Sequence, residues 1–271
     1  MAESVQTGLI KATQVAREAT MQRAPNGVRY AAFGDTAITA HDLARMVQAV
    51  PVTIAGALAR KAYYFVPLAM NSSSSAASAS TPRIEAPAPD LSPDATMIAS
   101  AYTPELGDQA ICHRNVTLAD HDGVFISTRL LSDRFALAFE FFINIGHAFV
   151  DNAGVPESFT ELAWSQAVAD VRGETSQDAW ESRGFALSPA PADGKPRIDE
   201  KAKTEYIEAA FSDAIAIYLL SLAVDFDYSE LREREYPLLA PQALAERLRL
   251  TAKLFPPNSG YEFAIRYRRR A

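Results

Sequence analysis

The alternation of apolar and polar residues along this chain predicts both helices and strands. Apolar residues spaced three and four apart indicate amphipathic helices, whereas short runs rich in aromatic and β-branched residues indicate strands. The predicted helices are 5–22, 41–47, 54–61, 132–151, 160–170, 203–224 and 240–254. The predicted strands are 61–70, 96–103, 111–118 and 123–128. Thr39 and Ser132 are the expected N-caps of the second and fourth helices, and the mixed order indicates an α+β fold.

Two segments interrupt this pattern. Residues 71–95 are dominated by Ser, Ala and Pro, which predicts a disordered loop, and we expect strand 96–103 to pair with 61–70 across it. Residues 172–200 are polar and contain several Gly and Pro, which predicts a long loop. We divide the chain into an N-terminal helical segment, a core and a C-terminal helical extension that ends in a basic tail. These three segments are 1–60, 61–225 and 226–271.

Composition excludes several classes of protein. The 271 residues carry a formal charge of −7, and an acidic chain is a poor nucleic-acid binder because neutralising phosphates requires a basic surface. A single cysteine excludes an internal disulfide and a zinc site built from several thiolates. We find neither a secretory signal nor an uninterrupted apolar stretch of membrane-spanning length. The sequence therefore predicts a cytoplasmic protein without a membrane span.

A series of short motifs in the second half of the chain carries a family resemblance. Gly146-His147-Ala148 is followed by Asp151 and Gly154, then by Pro156-Glu157-Ser158-Phe159, and later by the apolar run 209–216. Over about residues 60–225 this order resembles the zincin metallopeptidases, most of all the branch of anthrax-lethal-factor-like peptidase domains. The resemblance implies a zincin-like domain. In it, a small twisted mixed sheet packs on an active-site-type helix and a second buried helix, with extra helices at both ends.

The residues that an active zincin requires are absent from the corresponding positions. Such an enzyme has two histidines four residues apart on one helix face, and the Glu after the first is the general base. Ile143 occupies the first-His position and Asn144 the Glu position, so only His147 remains. The third ligand falls on Ala209, or on Phe211 if the register shifts by two. The resemblance thus implies an inactive protein, without zinc, that binds a partner protein, a peptide or a small molecule in the old cleft.

Polar residues near that position form a candidate site on two helices. Glu140, Asn144, His147 and Asp151 share one helix face over three turns. The later helix contributes Asp213 and Glu208. Three interpretations stay open: a hydrogen-bonded remnant of the old site, a rebuilt oxygen-rich metal site, and ordinary solvent exposure.

The alternative function is an enzyme of altered chemistry. In it, His147 performs acid–base catalysis together with Asp151, Glu140 or Asp213. We favour the inactive protein and leave open whether any catalysis remains.

Other candidate residues have simpler explanations. Cys112 is expected to be a buried small side chain, with a nucleophilic pair with His147 as the alternative. His113 follows it on a strand and therefore points to the opposite face. His121 is expected to be a solvated turn residue rather than a ligand. The arginines of the C-terminal tail are expected to be solvated, with docking to an acidic partner as the alternative.

Overall fold

The computed structural model of this protein describes residues 8–70, 96–131, 133–187, 198–231 and 236–265. It is a mixed arrangement of helices with two β-sheets, which confirms the predicted α+β class. The predicted disordered loop 71–95, the Ser132 cap and the basic tail beyond residue 265 lie outside the described residues.

The chain forms two compact units, each of which draws on two stretches of sequence. The first unit comprises Met1–Val47 and Arg60–Glu140, and the second comprises Gln48–Ala59 and Phe141–Ala271. The division of the chain into 1–60, 61–225 and 226–271 stays a prediction.

Strands dominate the first unit. The strands are β1 (Leu9–Lys11), β2 (Gln22–Arg23), β3 (Arg29–Ala32), β4 (Lys61–Val66), β5 (Leu68–Met70), β6 (Met97–Ala99), β7 (Ala110–Ile111), β8 (His113–Thr117) and β9 (Asp122–Ser127). One sheet has the order β2-β3-β4-β9-β8, in which β3, β4 and β9 run parallel and the two edge strands run antiparallel. The other sheet is antiparallel, with the order β1-β6-β5-β7.

The predicted strand 61–70 divides between the two sheets at Pro67. Proline has no N–H to donate to a sheet ladder, so a strand breaks readily at that residue. The residues before it form β4 in the five-stranded sheet, and the residues after it form β5 in the other. The predicted pairing across the 71–95 loop is confirmed for β5, where Leu68 lies opposite Ala99 and Ala69 opposite Ile98.

The N-terminal segment is not the run of helix that its periodicity predicts. Among the described residues 8–22 of this predicted helix, only α1 (Ala12–Glu18) is helical, and it is preceded by β1. Leu9 and Ile10 pair with Ala99 and Ile98 of β6, a partner that is distant in sequence. Strands β2 and β3 were also not predicted. Tertiary pairing here overrides local periodicity, because a short segment joins whichever ladder is available to it.

Three short helices lie in the first unit or close to its boundaries in sequence. They are α2 (Ala40–Gln48), α3 (Val52–Ala57) and α4 (Pro104–Gly107). The predicted cap of α2 is confirmed, because the Thr39 hydroxyl accepts a hydrogen bond from the Asp42 amide at 3.1 Å. The long helix α5 (Arg134–Ala153) begins in the first unit and continues into the second. At its start the Asp133 carboxylate accepts a hydrogen bond from the Ala136 amide at 2.7 Å.

Helices make up most of the second unit. Besides α3 and most of α5 they are α6 (Glu157–Val168), α7 (Gln177–Ala186), α8 (Glu200–Ala223) and α9 (Pro241–Leu254), with a 3-10 turn at Tyr228–Leu231. The predictions for α6, α8 and α9 are confirmed within a few residues. The predicted long loop 172–200 is wrong, because α7 lies inside it. Ser176 caps α7, and the helix buries Ala179, Arg183 and Ala186, contacts that its polar sequence does not reveal.

Helix α8 is the one described helix long and apolar enough to cross a membrane by length and composition. In the folded protein, 78% of its most apolar 18-residue window is buried. A helix that is apolar around its whole circumference is expected at the centre of a fold, and α8 fills that position in the second unit.

Candidate functional site

Helices α5 and α8 approach each other closely at Gly146. A Cβ atom at this position would lie 2.4 Å from the carbonyl oxygen of Ser212, a distance that no real Cβ atom tolerates. Only glycine therefore permits this crossing. His147, the histidine that the zincin pattern retains, directly follows the crossing point on α5.

The positions that the resemblance assigns to zinc ligands differ in burial from the position that it assigns to the general base. Ile143 and Ala209 are partly exposed and His147 is exposed, whereas Asn144, at the general-base position, is buried. We use the name α5–α8 edge for the accessible residues on either side of this crossing, which are Ile143, His147 and Asp151 of α5 and Glu208 and Ala209 of α8. A binding surface must be reachable from solvent, and these positions are.

The resemblance offers two positions for the third ligand, Ala209 and Phe211, and these two residues differ in burial. Phe211 is completely buried, and its ring lies 4.6 Å from that of Phe159 and 6.3 Å from those of Phe149 and Phe255, measured between centroids. A residue enclosed by aromatic rings is not available to a ligand in solvent. Of the two positions that the resemblance offers for the third ligand, Ala209 is partly exposed and Phe211 is enclosed.

The residues present do not fit a catalytic zinc ion. Isoleucine and alanine have no lone pair to donate to the metal, and the amide of Asn144 cannot accept a proton from a bound water. Across the described ranges of the chain, no group of three or more His, Cys, Asp or Glu side chains is arranged to hold a metal. The absence of zinc stays a prediction.

Glu140 belongs to a contact within the first unit. Its carboxylate oxygen Oε1 lies 2.5 Å from Nδ1 of His113 on the edge strand β8. The carboxylate is largely buried, while the imidazole is partly exposed. Glu140 thus has an imidazole partner, but one that sequence reasoning did not assign to it.

The candidate residues in the second unit divide by burial. Asn144 and Asp213 are buried, whereas His147, Asp151 and Glu208 are exposed. The shared helix face predicted for α5 is therefore partly core and partly surface.

Asp213 is the candidate residue with the most unusual environment. Its Oδ2 accepts a hydrogen bond from the Thr175 hydroxyl at 2.8 Å, and the Ser176 side chain also bonds to it. Burial raises its pKa from 3.8 to about 7, since desolvation outweighs these two hydrogen bonds, and Glu174 and Asp178 add to the rise. Asp213 is therefore a carboxyl group that titrates near neutral pH.

A buried ionic network beside Asp213 was missed by sequence reasoning. Glu174 and Arg247 are both fully buried, and Arg247 Nη1 donates to Glu174 Oε2 at 2.9 Å. Arg183 contributes a second cation at 3.3 Å, and the Tyr206 hydroxyl donates to Glu174 Oε1 at 2.9 Å. The Gln166 side chain accepts from Arg247 Nε at 2.8 Å. Every charged side chain in this network has a charged or hydrogen-bonding partner. The network therefore has a structural role in the core of the second unit.

The backbone around Glu174 explains how a carboxylate comes to lie in the core. Its amide donates to Pro237 O and its carbonyl accepts from the Leu239 amide, both at 2.9 Å. Gly173 precedes it with φ of +79°, and a Cβ there would lie 2.1 Å from Leu238 O. One sequence signal was available: Arg247 occupies the apolar stripe of α9 together with Leu244, Leu248 and Thr251. A charged residue within such a stripe indicates a buried partner.

Two expectations about single residues are wrong. Cys112 is exposed rather than buried, because it lies between the short strands β7 and β8. Partial desolvation of the thiol and the charge of Glu140 raise the pKa of Cys112, which disfavours a nucleophilic thiolate.

The second correction concerns His121, which is buried rather than solvated. Its Nε2 lies 2.8 Å from the Tyr64 hydroxyl and its Nδ1 lies 2.7 Å from the Asp120 carboxylate. This hydrogen bond with His121 lowers the pKa of Asp120. His121 thus links the β8–β9 turn to Tyr64 of the central strand β4.

Comparison of the chain with family models, with curated proteins and with solved structures finds no match.

Proposed function

We propose that this chain is a catalytically inactive, metallopeptidase-like protein of zincin-type fold that binds a partner protein, a peptide or a small molecule at the α5–α8 edge. The observation that carries the proposal is the tight crossing at Gly146, next to Ile143, Asn144 and Ala209 in place of ligand, base and ligand. Under this proposal, the two helices of a zincin site are retained, whereas the metal ligands and the general base are lost.

The order of strands also supports the proposed fold. The antiparallel edge strand β8 is followed by β9, and the chain then enters α5. The resemblance implies the same order, with an edge strand ahead of the active-site-type helix. The acidic charge of −7 argues against nucleic acid as the partner, and a cytoplasmic location stays a prediction from the sequence.

The protein is expected to contain no stoichiometric zinc. Purified protein washed with chelator and then analysed for metals by mass spectrometry should hold well below one zinc per chain. The physical reason is that Ile143 and Ala209 offer no donor atoms. One tightly bound zinc per chain after washing contradicts the proposal.

Restoring the missing donors is expected to create a zinc site. The variant Ile143→His, Asn144→Glu, Ala209→Glu would have three ligands, including His147, and a general base next to them. We expect the metal-free variant to be less stable than wild type by about 1–3 kcal/mol, because larger groups enter two partly exposed positions and one buried position. Added zinc should raise its melting temperature, since a ligand that binds only the native state stabilises it.

The matched control carries Gln instead of Glu at position 209, which keeps the size of the side chain and removes its charge. Calorimetry should give tighter zinc binding for the Glu variant than for the Gln variant and for wild type. Equal zinc binding by all three proteins would contradict the zincin-type alignment, and with it the proposed fold.

The near-neutral pKa of Asp213 favours a second candidate function, an enzyme of altered chemistry. In it, His147 together with Asp151, Glu140 or Asp213 transfers protons. Fractionated metabolite and peptide pools incubated with wild type and with His147→Ala distinguish the two functions. A compound retained without turnover supports binding, whereas turnover that is lost in His147→Ala supports catalysis.

A further inference from the structure

A single buried carboxyl group connects α8 to the start of α7. Asp213 of α8 accepts a hydrogen bond from the Thr175 hydroxyl at 2.8 Å and is bonded to the Ser176 side chain. The same Ser176 hydroxyl caps α7 by accepting from the Ala179 amide at 3.2 Å. The first turn of α7 and the middle of α8 therefore meet at one ionisable group.

The charged groups around Asp213 do not favour a negative charge on it. Glu174 and Asp178 both act on it as like charges. The two nearby cations, Arg183 and Arg247, are bonded to Glu174. Tyr228 of the 3-10 turn also faces this region, and its own pKa is raised by burial and in part by Asp213. On α5, the titratable group next to the helix crossing is the exposed His147.

Helix α7 has one buried side and one exposed side. The outward side of α7 is exposed to solvent at Trp180, Glu181, Gly184 and Phe185, and Phe185 has 64% of its surface accessible. A local displacement of the first turn of α7 would admit water to Asp213. Local opening of this kind requires less free energy than global unfolding when the element has one exposed side.

We propose that Asp213 is a pH-sensitive latch. While it is protonated, the carboxyl group tolerates burial beneath the start of α7, and when its proton passes to solvent the cost of burying the charge opens the start of α7. This device goes beyond the proposed binding function and does not depend on it.

The direction of the pH effect follows from proton linkage. The closed form holds the Asp213 proton with a pKa of about 7, and an open, hydrated form holds it with the ordinary value of 3.8. Between these two pH values the closed form therefore binds more protons than the open form. The free energy that favours the closed form over the open form falls as the pH rises. This free-energy difference is largest below about pH 4 and reaches a constant, smaller value above about pH 7.

Native-state hydrogen exchange of the full chain tests the latch. Exchange of amides in α7 is measured from pH 4.5 to 8 and corrected for the intrinsic pH dependence of exchange. In wild type the opening constant of α7 should rise by up to about tenfold per pH unit up to pH 7 and then level off. In Asp213→Asn, a neutral isostere, it should be independent of pH.

Two further variants keep the outcome decisive. Thr175→Val removes a donor to the carboxylate and should move the upper end of the pH response to higher pH. His147→Gln should leave the response unchanged, which excludes the nearby histidine as its source. The latch is refuted if α7 opening in wild type is independent of pH, or if α7 and α9 amides exchange only together by global unfolding.

Discussion

Replacing Arg247 by alanine is expected to destabilise the protein by about 3–5 kcal/mol. Arg247 is fully buried and donates to the carboxylate of Glu174, to the Tyr206 hydroxyl and to Gln166. Its loss leaves Glu174 as a buried carboxylate with Arg183 alone to balance it. Breaking a buried ion pair from one side is among the most damaging single changes in a protein, because the remaining charge stays out of water.

Urea unfolding at neutral pH measures this effect. The matched control is Arg249→Ala, which removes an exposed arginine from the same helix and should change stability by less than about 0.5 kcal/mol. The double replacement Glu174→Gln with Arg247→Met should be less damaging than Arg247→Ala, because it removes both charges of the buried pair and leaves Arg183 with the Asp170 carboxylate at 3.5 Å and with backbone carbonyl acceptors. A loss below about 1 kcal/mol for Arg247→Ala would show that the network does not carry the stability of this unit.

Replacing Gly146 by alanine is expected to cost about 2–3 kcal/mol, although alanine is the better helix former. The added methyl group would lie 2.4 Å from the Ser212 carbonyl oxygen, so α5 and α8 must move apart and their shared packing loosens. The same change at Gly184 of α7 meets nothing within 4 Å. Gly184→Ala should therefore stabilise the protein by about 0.5–1 kcal/mol, the difference in intrinsic helix propensity.

Thermal and chemical unfolding measure the change in stability for both variants. If Gly146→Ala destabilises the protein and Gly184→Ala stabilises it, the close helix crossing at Gly146 is the cause of the loss. If Gly146→Ala is neutral or stabilising, the helices are not held as closely as the structure has them. The α5–α8 edge would then lack the rigid support on which the proposed binding function depends.

Much of the secondary structure could be predicted from the sequence. The apolar circumference of α8, the amphipathic pattern of α9 and the β-rich runs of β4 and β9 are local properties, and the structure contains all four. The predicted α+β class follows from them. The secondary-structure predictions fail where contacts with residues distant in sequence determine the element. Strand β1 forms because it pairs with β6, and α7 forms because Arg183 and its neighbours become buried.

The candidate site could be predicted only in part. The sequence by itself determined that Ile143 and Ala209 have no metal-donor atoms and that the Asn144 amide cannot act as a base, whatever fold these residues occupy. Only the tertiary structure decided that His147 is exposed, that Asp213 is buried with a pKa of about 7, and that Glu174 pairs with Arg247. The physical reason is that bonding capacity belongs to a side chain, whereas its solvation and its partners depend on which segments fold against it.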